Sequence, residues 1–139
     1  MLKSSSLLIT FVAVLNVHAA EIDYPVKPIR IIVPFAPGGP NDILARLVGQ
    51  KLTERWGKQV IIDNRPGGGT IIGTDLAAHS TPDGYTLLMV STSHAVNVSL
   101  VKKLPYDTLR DFAPVVRLTA SPNVLVANPA VRSEEHTSE

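Results

Sequence analysis

VPFAPGGP (residues 33–40) and NRPGGGT (residues 64–70) are two glycine-rich turns that organise this chain. Each turn follows a short run of β-branched residues and precedes a segment whose apolar residues recur at helical spacing. The order of strand, glycine turn and helix is typical of an α/β protein with a parallel sheet. Glycine lets a backbone approach a ligand closely, and the start of a helix presents free N–H groups and the positive end of the dipole. Each turn is therefore a candidate anion site.

The pattern around the turns predicts five regular elements. Strands are expected at 27–33, 60–62 and 85–90, and helices at 40–56 and 70–79. Pro40 suits the first helical position, and Gly57 suits the residue after the end. The apolar stripe of the first helix comprises Ile43, Leu44, Leu47, Val48, Leu52 and Trp56. The result is β-α-β-α-β, the beginning of a doubly wound, mostly parallel sheet.

Polar and glycine-rich segments follow all three predicted strands, at 35–41, 65–70 and 91–94. Ligands of such sheets bind outside the carboxyl ends of the strands, so we expect the three segments to converge on one site. The phosphate-binding pattern G-x-x-x-x-G-K-[ST] is absent from the sequence. The second turn misses G-x-G-x-x-G by one residue, since Gly73 stands one place too late. The sequence therefore disfavours a nucleotide and favours a small acid.

The N-terminus predicts an exported protein. Lys3, an apolar stretch over 7–17 and the cleavage pattern VHA (17–19) are typical of a signal peptide over 1–19, cleaved after Ala19 or Ala20, which predicts a periplasmic location. A membrane anchor is the alternative, but the apolar stretch is shorter than the roughly 20 residues that span a bilayer.

The chain has no cysteine, which excludes thiol chemistry, and its formal net charge of +1 argues against a nucleic-acid partner.

The C-terminal segment, residues 132–139, reads RSEEHTSE and contains no apolar residue. It resembles the translation of a sequencing adapter, so we expect an artefactual tail. A polar, disordered natural C-terminus is the alternative.

Residue order adds a family resemblance. The quoted motifs are YPVKPIRIIVPFAPGGPND (24–42), DNRPGGG (63–69), PDGYTLL (82–88), KLPYD (103–107) and DFAPV (111–115). They resemble the extracytoplasmic substrate-binding receptors of tripartite tricarboxylate transporters, also called the Bug family. The resemblance implies a type II periplasmic-binding-protein fold, with an N-terminal α/β lobe at 20–114, crossover strands at 115–131 and a missing second lobe. It implies a receptor, monomeric when complete, that delivers a small carboxylate to membrane permease subunits.

The predicted ligand-binding residues lie in the three strand-end segments: Phe35, Gly38, Gly39, Asn41, Asp42, Gly68, Gly69, Thr70, Ser93 and His94. The amides of Gly38, Gly39 and Asn41 are expected to hold a carboxylate. Asp42 also fits a structural role with Arg46 as its partner, Phe35 also fits the core, and His94 also fits a structural position. Arg65 is expected either to contact the acid or to anchor its loop to Asp63.

Catalysis has little support in the sequence. No G-x-S-x-G elbow, His-Glu-x-x-His helix or metal-ligand spacing is present, so no catalytic residue, metal or cofactor is expected. The effector-sensing lobe of a regulator and a small exported α/β enzyme are the alternatives to a solute receptor. The export signal argues against the regulator, and the missing catalytic residues argue against the enzyme.

Overall fold

The computed structural model of the chain describes residues 23–122 together with residues 124 and 126. Strands and helices alternate within that range, and a short 3-10 turn at Gly68–Thr70 precedes the second helix. The elements are β1 (Ile29–Val33), α1 (Pro40–Trp56), β2 (Val60–Asn64), α2 (Ile71–Ala78), β3 (Thr86–Leu88) and α3 (Thr92–Leu100). The predicted β-α-β-α-β order is confirmed.

The three strands form one parallel sheet in the order β2-β1-β3. Ile31 of β1 lies opposite Ile62 and Leu87, so the central strand is covered on both edges and its apolar run is buried. Helix α1 packs on β1 and β2, and α2 packs on β1 and β3. Parallel strands are joined by right-handed connections as a rule, and β2 and β3 lie on opposite sides of β1, which is the strand order expected of the predicted doubly wound arrangement.

Helix α1 begins and ends where the sequence predicts, but its buried face is rotated from the predicted stripe, of which Leu44 still packs against the core. Gly57 adopts a left-handed conformation and donates its N–H to Thr53 at 2.9 Å, closing the helix. Ile43 and Leu47 of the predicted apolar stripe are more than half exposed. The buried positions are Asp42, Ala45 and Gly49, because small residues let the helix lie close to the sheet.

The third strand is shorter than predicted, and a helix that the sequence reading missed follows it. Ser93 and His94, expected at a strand end, lie in the first turn of α3. Ser91 caps this helix, since its hydroxyl accepts the Ser93 N–H at 3.4 Å. The cap stabilises the start of α3. Strand β3 pairs only with β1 in the described sheet, so little hydrogen bonding favours extending the strand past Leu88.

The predicted signal peptide at 1–19 and the predicted tail at 132–139 lie outside the described residues. The described part of the predicted crossover, 115–122, forms no helix or strand, since no described strand lies beside it to pair with. Val115 and Val124 are about four-fifths exposed there. Among the helices of residues 23–122, none combines the length and apolar character that crossing a membrane requires.

Candidate functional site

The carboxyl ends of all three strands meet at one edge of the parallel sheet, as predicted. The loops 34–39, 65–70 and 89–91 leave this edge. Because the chain runs from β1 to β2 and then back to β3, the topological switch point lies between β1 and β3. The strand-end loops therefore surround the crevice in which ligands of this architecture bind.

Asp42 fixes the first loop from within. Its carboxylate is buried and accepts hydrogen bonds from the Gly38 N–H at 2.8 Å, Arg46 Nε at 3.0 Å and Asn64 Nδ2 at 2.9 Å. The Arg46 hydrogen bond, helped by those of Gly38 and Asn64, lowers the pKa of Asp42 to about 2. The carboxylate is thus ionised and engaged on both oxygens, which is the structural role.

This network favours the structural alternative for two of the predicted binding residues, Gly38 and Asp42. The Gly38 N–H donates to Asp42 and is not directed at a ligand, because a charged acceptor within the protein already holds it. Asp42 faces the loop and Arg46 instead of an acid. What Gly38 supplies is a left-handed backbone at φ 82°, which lets the loop turn back onto Asp42.

The start of α1 keeps donors at Gly39 and Asn41. The first hydrogen bond of the helix runs from the Ile43 N–H to the Gly39 carbonyl at 3.0 Å, so the amides before Ile43 precede the helical ladder. Pro40 has no N–H. Phe35 is half-buried and packs against the core of Ile31, Val33, Ala45 and Met89, which favours its structural alternative.

The second loop is held in an unusual backbone conformation. Gly68, Gly69 and Thr70 all have positive φ, at 56°, 64° and 83°. For a β-branched residue such as Thr70 this is rare and strained. The Thr70 N–H donates to the Gly67 carbonyl at 3.1 Å, and the Thr74 hydroxyl donates to the Thr70 carbonyl at 2.8 Å. The strain is therefore sustained by hydrogen bonds on both sides of the residue.

Two asparagines fasten the loops to each other. Asn64, at the end of β2, donates to the Phe35 carbonyl at 3.2 Å as well as to Asp42. Asn97, buried on α3, donates to the Gly69 carbonyl at 2.9 Å and to Thr70 Oγ1 at 3.2 Å. Sequence reasoning missed both residues, since a single asparagine in a strand or helix carries no pattern.

Arg65 is anchored within its own loop. Its Nε donates to Asp63 at 2.9 Å, and Arg30 binds the same carboxylate from β1. The two arginines lower the pKa of Asp63 against the opposing effect of its burial. Of the two roles expected for Arg65, the geometry favours the anchor.

His94 lies in an aromatic cluster. Its ring stacks parallel to that of Tyr106, with centroids 6.1 Å apart, and meets Phe112 edge-on at 5.2 Å. Burial lowers the pKa of His94, which favours the neutral form of the ring. These contacts favour a structural role for His94. Ser93 stays a candidate, with its hydroxyl 3.1 Å from that of Ser91.

A concave surface outside the predicted site is the groove beside α3, which is separate from the strand-end loops. It has a volume of about 730 Å³ and lies between α3 and residues 104–111, and none of the predicted ligand-binding residues lines it. Within residues 23–122, no three His, Asp or Glu side chains come together as a metal site.

Comparisons with known proteins agree with this fold. The sequence profile described as "Tripartite tricarboxylate transporter family receptor" matches residues 44–137. BugT of Bordetella pertussis is 46% identical over 111 residues, which make up 78% of this chain and 34% of BugT. The chain thus spans about one third of the length of this relative.

Solved structures match the described lobe as well. MatC from Rhodopseudomonas palustris, solved with bound malate, is 38% identical with a TM-score of 0.61, over 66% of this chain and 32% of that one. The periplasmic binding protein BugD is 36% identical with a TM-score of 0.62, over 66% and 30%. The fold is that of the periplasmic binding proteins. The chain belongs to the receptor family of the tripartite tricarboxylate transporters, whose members are periplasmic solute-binding proteins.

Proposed function

We propose that the complete protein is a periplasmic receptor that binds a small organic carboxylate and delivers it to the membrane permease of a tripartite tricarboxylate transporter. The observation that carries the proposal is the convergence of two glycine-rich loops and a helix start on the carboxyl edge of one parallel sheet. Malate bound to the related MatC supports a carboxylate as the ligand class. Export through a signal peptide at 1–19 is part of the same proposal.

The donors available at this edge suit a carboxylate. The amides of Gly39 and Asn41 precede the helical ladder of α1, where the helix dipole favours an anion. Gly68, Gly69 and the Thr70 hydroxyl supply the second wall, and Ser93 supplies a hydroxyl on the third. Gly38, Asp42 and Arg46 act behind them by holding the first loop in shape.

The charge arrangement removes an objection to this site. A carboxylate at the mouth of an anion site would repel the ligand, but Asp42 is paired with Arg46 and turned into the protein. Its negative charge is balanced locally, so the dipole of α1 remains available to an incoming acid.

The family partner is a membrane permease, and we propose the same partner here. Binding is expected to close a second lobe, contributed by the part of the receptor beyond this chain, over the acid. Solute binding without catalysis is expected, in keeping with the family.

Calorimetric titration of the full-length gene product tests the proposal. The panel consists of succinate, glutarate, malate, adipate, citrate and glutamate, with succinamide as a neutral control of similar shape. At least one acid should bind with a saturable heat, and succinamide should not. A folded protein that binds none of the acids would contradict the proposal.

A further inference from the structure

Asn97 joins α3 to the glycine-rich loop through one atom. The side chain is 7% exposed, and its Nδ2 lies 2.9 Å from the Gly69 carbonyl and 3.2 Å from Thr70 Oγ1. A carbonyl oxygen can only accept a hydrogen bond, so the Asn97 atom that faces it must be the nitrogen. The chemistry of Gly69 therefore fixes the orientation of the amide.

This orientation determines the role of the Thr70 hydroxyl. The amide nitrogen of Asn97 is only a donor, so Thr70 Oγ1 accepts from it and must send its own proton elsewhere. The other polar groups of Thr70 are engaged: its N–H with Gly67 and its carbonyl with Thr74. Within the part of the chain that the structure describes, the hydroxyl proton has no acceptor.

The backbone of Thr70 gives an independent reason to look for a use of this hydroxyl. A left-handed threonine is strained, whereas glycine would adopt φ 83° without a steric penalty. Strain of this kind persists where the surroundings impose it, and it concentrates at ligand sites. The residue with the strained backbone, Thr70, is thus also the residue whose hydroxyl proton has no acceptor among the described residues.

We propose that Asn97 is a positioning residue that holds the Thr70 hydroxyl as a donor toward the ligand, so that this subsite selects a group that only accepts hydrogen bonds. A carboxylate oxygen fits that requirement. An amide N–H₂ or an ammonium group is itself a donor, so it cannot form a hydrogen bond with the Thr70 hydroxyl held in this orientation. The inference rests on the proposed function and adds a determinant of specificity to it.

Substitutions in the full-length protein separate this role from a structural one. Asn97→Asp places an acceptor beside Thr70, so the hydroxyl turns toward the new carboxylate and is lost to the ligand. Thr70→Val removes the hydroxyl while keeping the branched shape, and Thr70→Ser keeps the hydroxyl. Ser80→Ala is the control, because it deletes a hydroxyl that donates to the carbonyl four residues before it, that of Leu76, and has no hydrogen bond to Thr70.

The readout is the affinity for an acid and for its monoamide, measured by calorimetry with succinate and succinamate and with glutarate and glutaramate. Wild type and Thr70→Ser should prefer the acid. Asn97→Asp and Thr70→Val should bind the acid at least about tenfold more weakly. In both variants the ratio of acid affinity to monoamide affinity should fall toward one. Ser80→Ala should keep the ratio, since a loss of stability alone lowers both affinities by a common factor.

The outcomes are distinguishable. An unchanged ratio of acid to amide affinity in folded Asn97→Asp overturns this inference and leaves the proposed function standing. If Asn97→Asp fails to fold, Thr70→Val decides by the same criterion. A wild-type protein that binds neither acid nor any other member of the calorimetric panel overturns the proposed function and this inference together.

Discussion

Gly73 of α2 lies so close to the ends of β1 and β2 that even an alanine side chain does not fit there. A Cβ at this residue of α2 would lie 2.7 Å from the Arg65 carbonyl oxygen and 2.7 Å from Pro34 Cβ. Ordinary contact begins near 3.4 Å, so Gly73→Ala must push the helix and these two neighbours apart by about 0.7 Å. Both neighbours stand where a strand ends, and the two predicted ligand loops begin there.

The expected cost follows from two opposing effects. Overpacking of a tight interior site costs about 1–3 kcal/mol, and alanine recovers up to about 1 kcal/mol as the better helix former. Three contacts would fall below 3.0 Å, two of them to backbone atoms, so the overpacking cost should lie near the upper end of its range. We therefore expect Gly73→Ala to lower the free energy of unfolding by about 1–2 kcal/mol, measured by urea titration of the full-length protein. Because the clash displaces Pro34 and Arg65, at which the two predicted ligand loops begin, the affinity for the acid should fall as well.

A matched control is available at Gly39. A Cβ there would lie 3.5 Å from its nearest neighbour, the Ala36 carbonyl oxygen, and φ is −77°. Alanine reduces the conformational freedom of the unfolded chain but is a poorer N-cap than glycine, so the two effects oppose and Gly39→Ala should change the free energy of unfolding by less than about 0.5 kcal/mol. A Gly73→Ala variant as stable as wild type would refute the close packing described here.

Three further predictions concern the first loop and the titrating groups. Gly39→Val should fold but weaken acid binding at least tenfold, about 1.4 kcal/mol, and unchanged affinity in calorimetry would move the site away from α1. The pKa of Asp42 lies at about 2, below its ordinary 3.8, so its contribution to stability is present above about pH 4 and is lost as the pH falls through about 2. Asp42→Asn should flatten that part of the urea-unfolding profile, and an unchanged acid slope would contradict the network. Burial lowers the pKa of His94 from 6.5, so the unfolded chain takes up the proton first and stability declines as the pH drops below about 6.5. His94→Phe should remove that decline, whereas substitution of the exposed His79 in His79→Gln should retain it. Identical profiles of stability against pH in wild type and both variants would count against the burial of His94 in the aromatic cluster.

The fold could be predicted where a local signal has one physical meaning. The buried run of β1, the proline at the start of α1 and the left-handed Gly57 at its end each specify a single structure, and all three are confirmed. Periodicity predicted α1 but only part of its buried face. Ile43 and Leu47 fit a helical stripe equally well, yet the sheet demanded the small residues Ala45 and Gly49.

The site could be predicted only to the level of its loops. The glycine patterns placed both loops at the sheet edge, but the partner of each amide depends on contacts across the fold. Asp42 accepts the Gly38 N–H four residues away, and Asn97 reaches Thr70 across 27 residues. Neither pairing leaves a trace in spacing or composition. Helix α3 itself was missed because no glycine or proline separates β3 from the cap at Ser91.

The crystal structure of the full-length protein with its tightest-binding acid tests the central claim most directly. The account predicts a ligand carboxylate at the carboxyl edge of the sheet, within hydrogen-bond distance of the Thr70 hydroxyl and of the amides at Gly39 or Asn41. Asp42 should remain bonded to Gly38 and Arg46. A ligand bound in the groove between α3 and residues 104–111, with the glycine-rich loops empty, would contradict it.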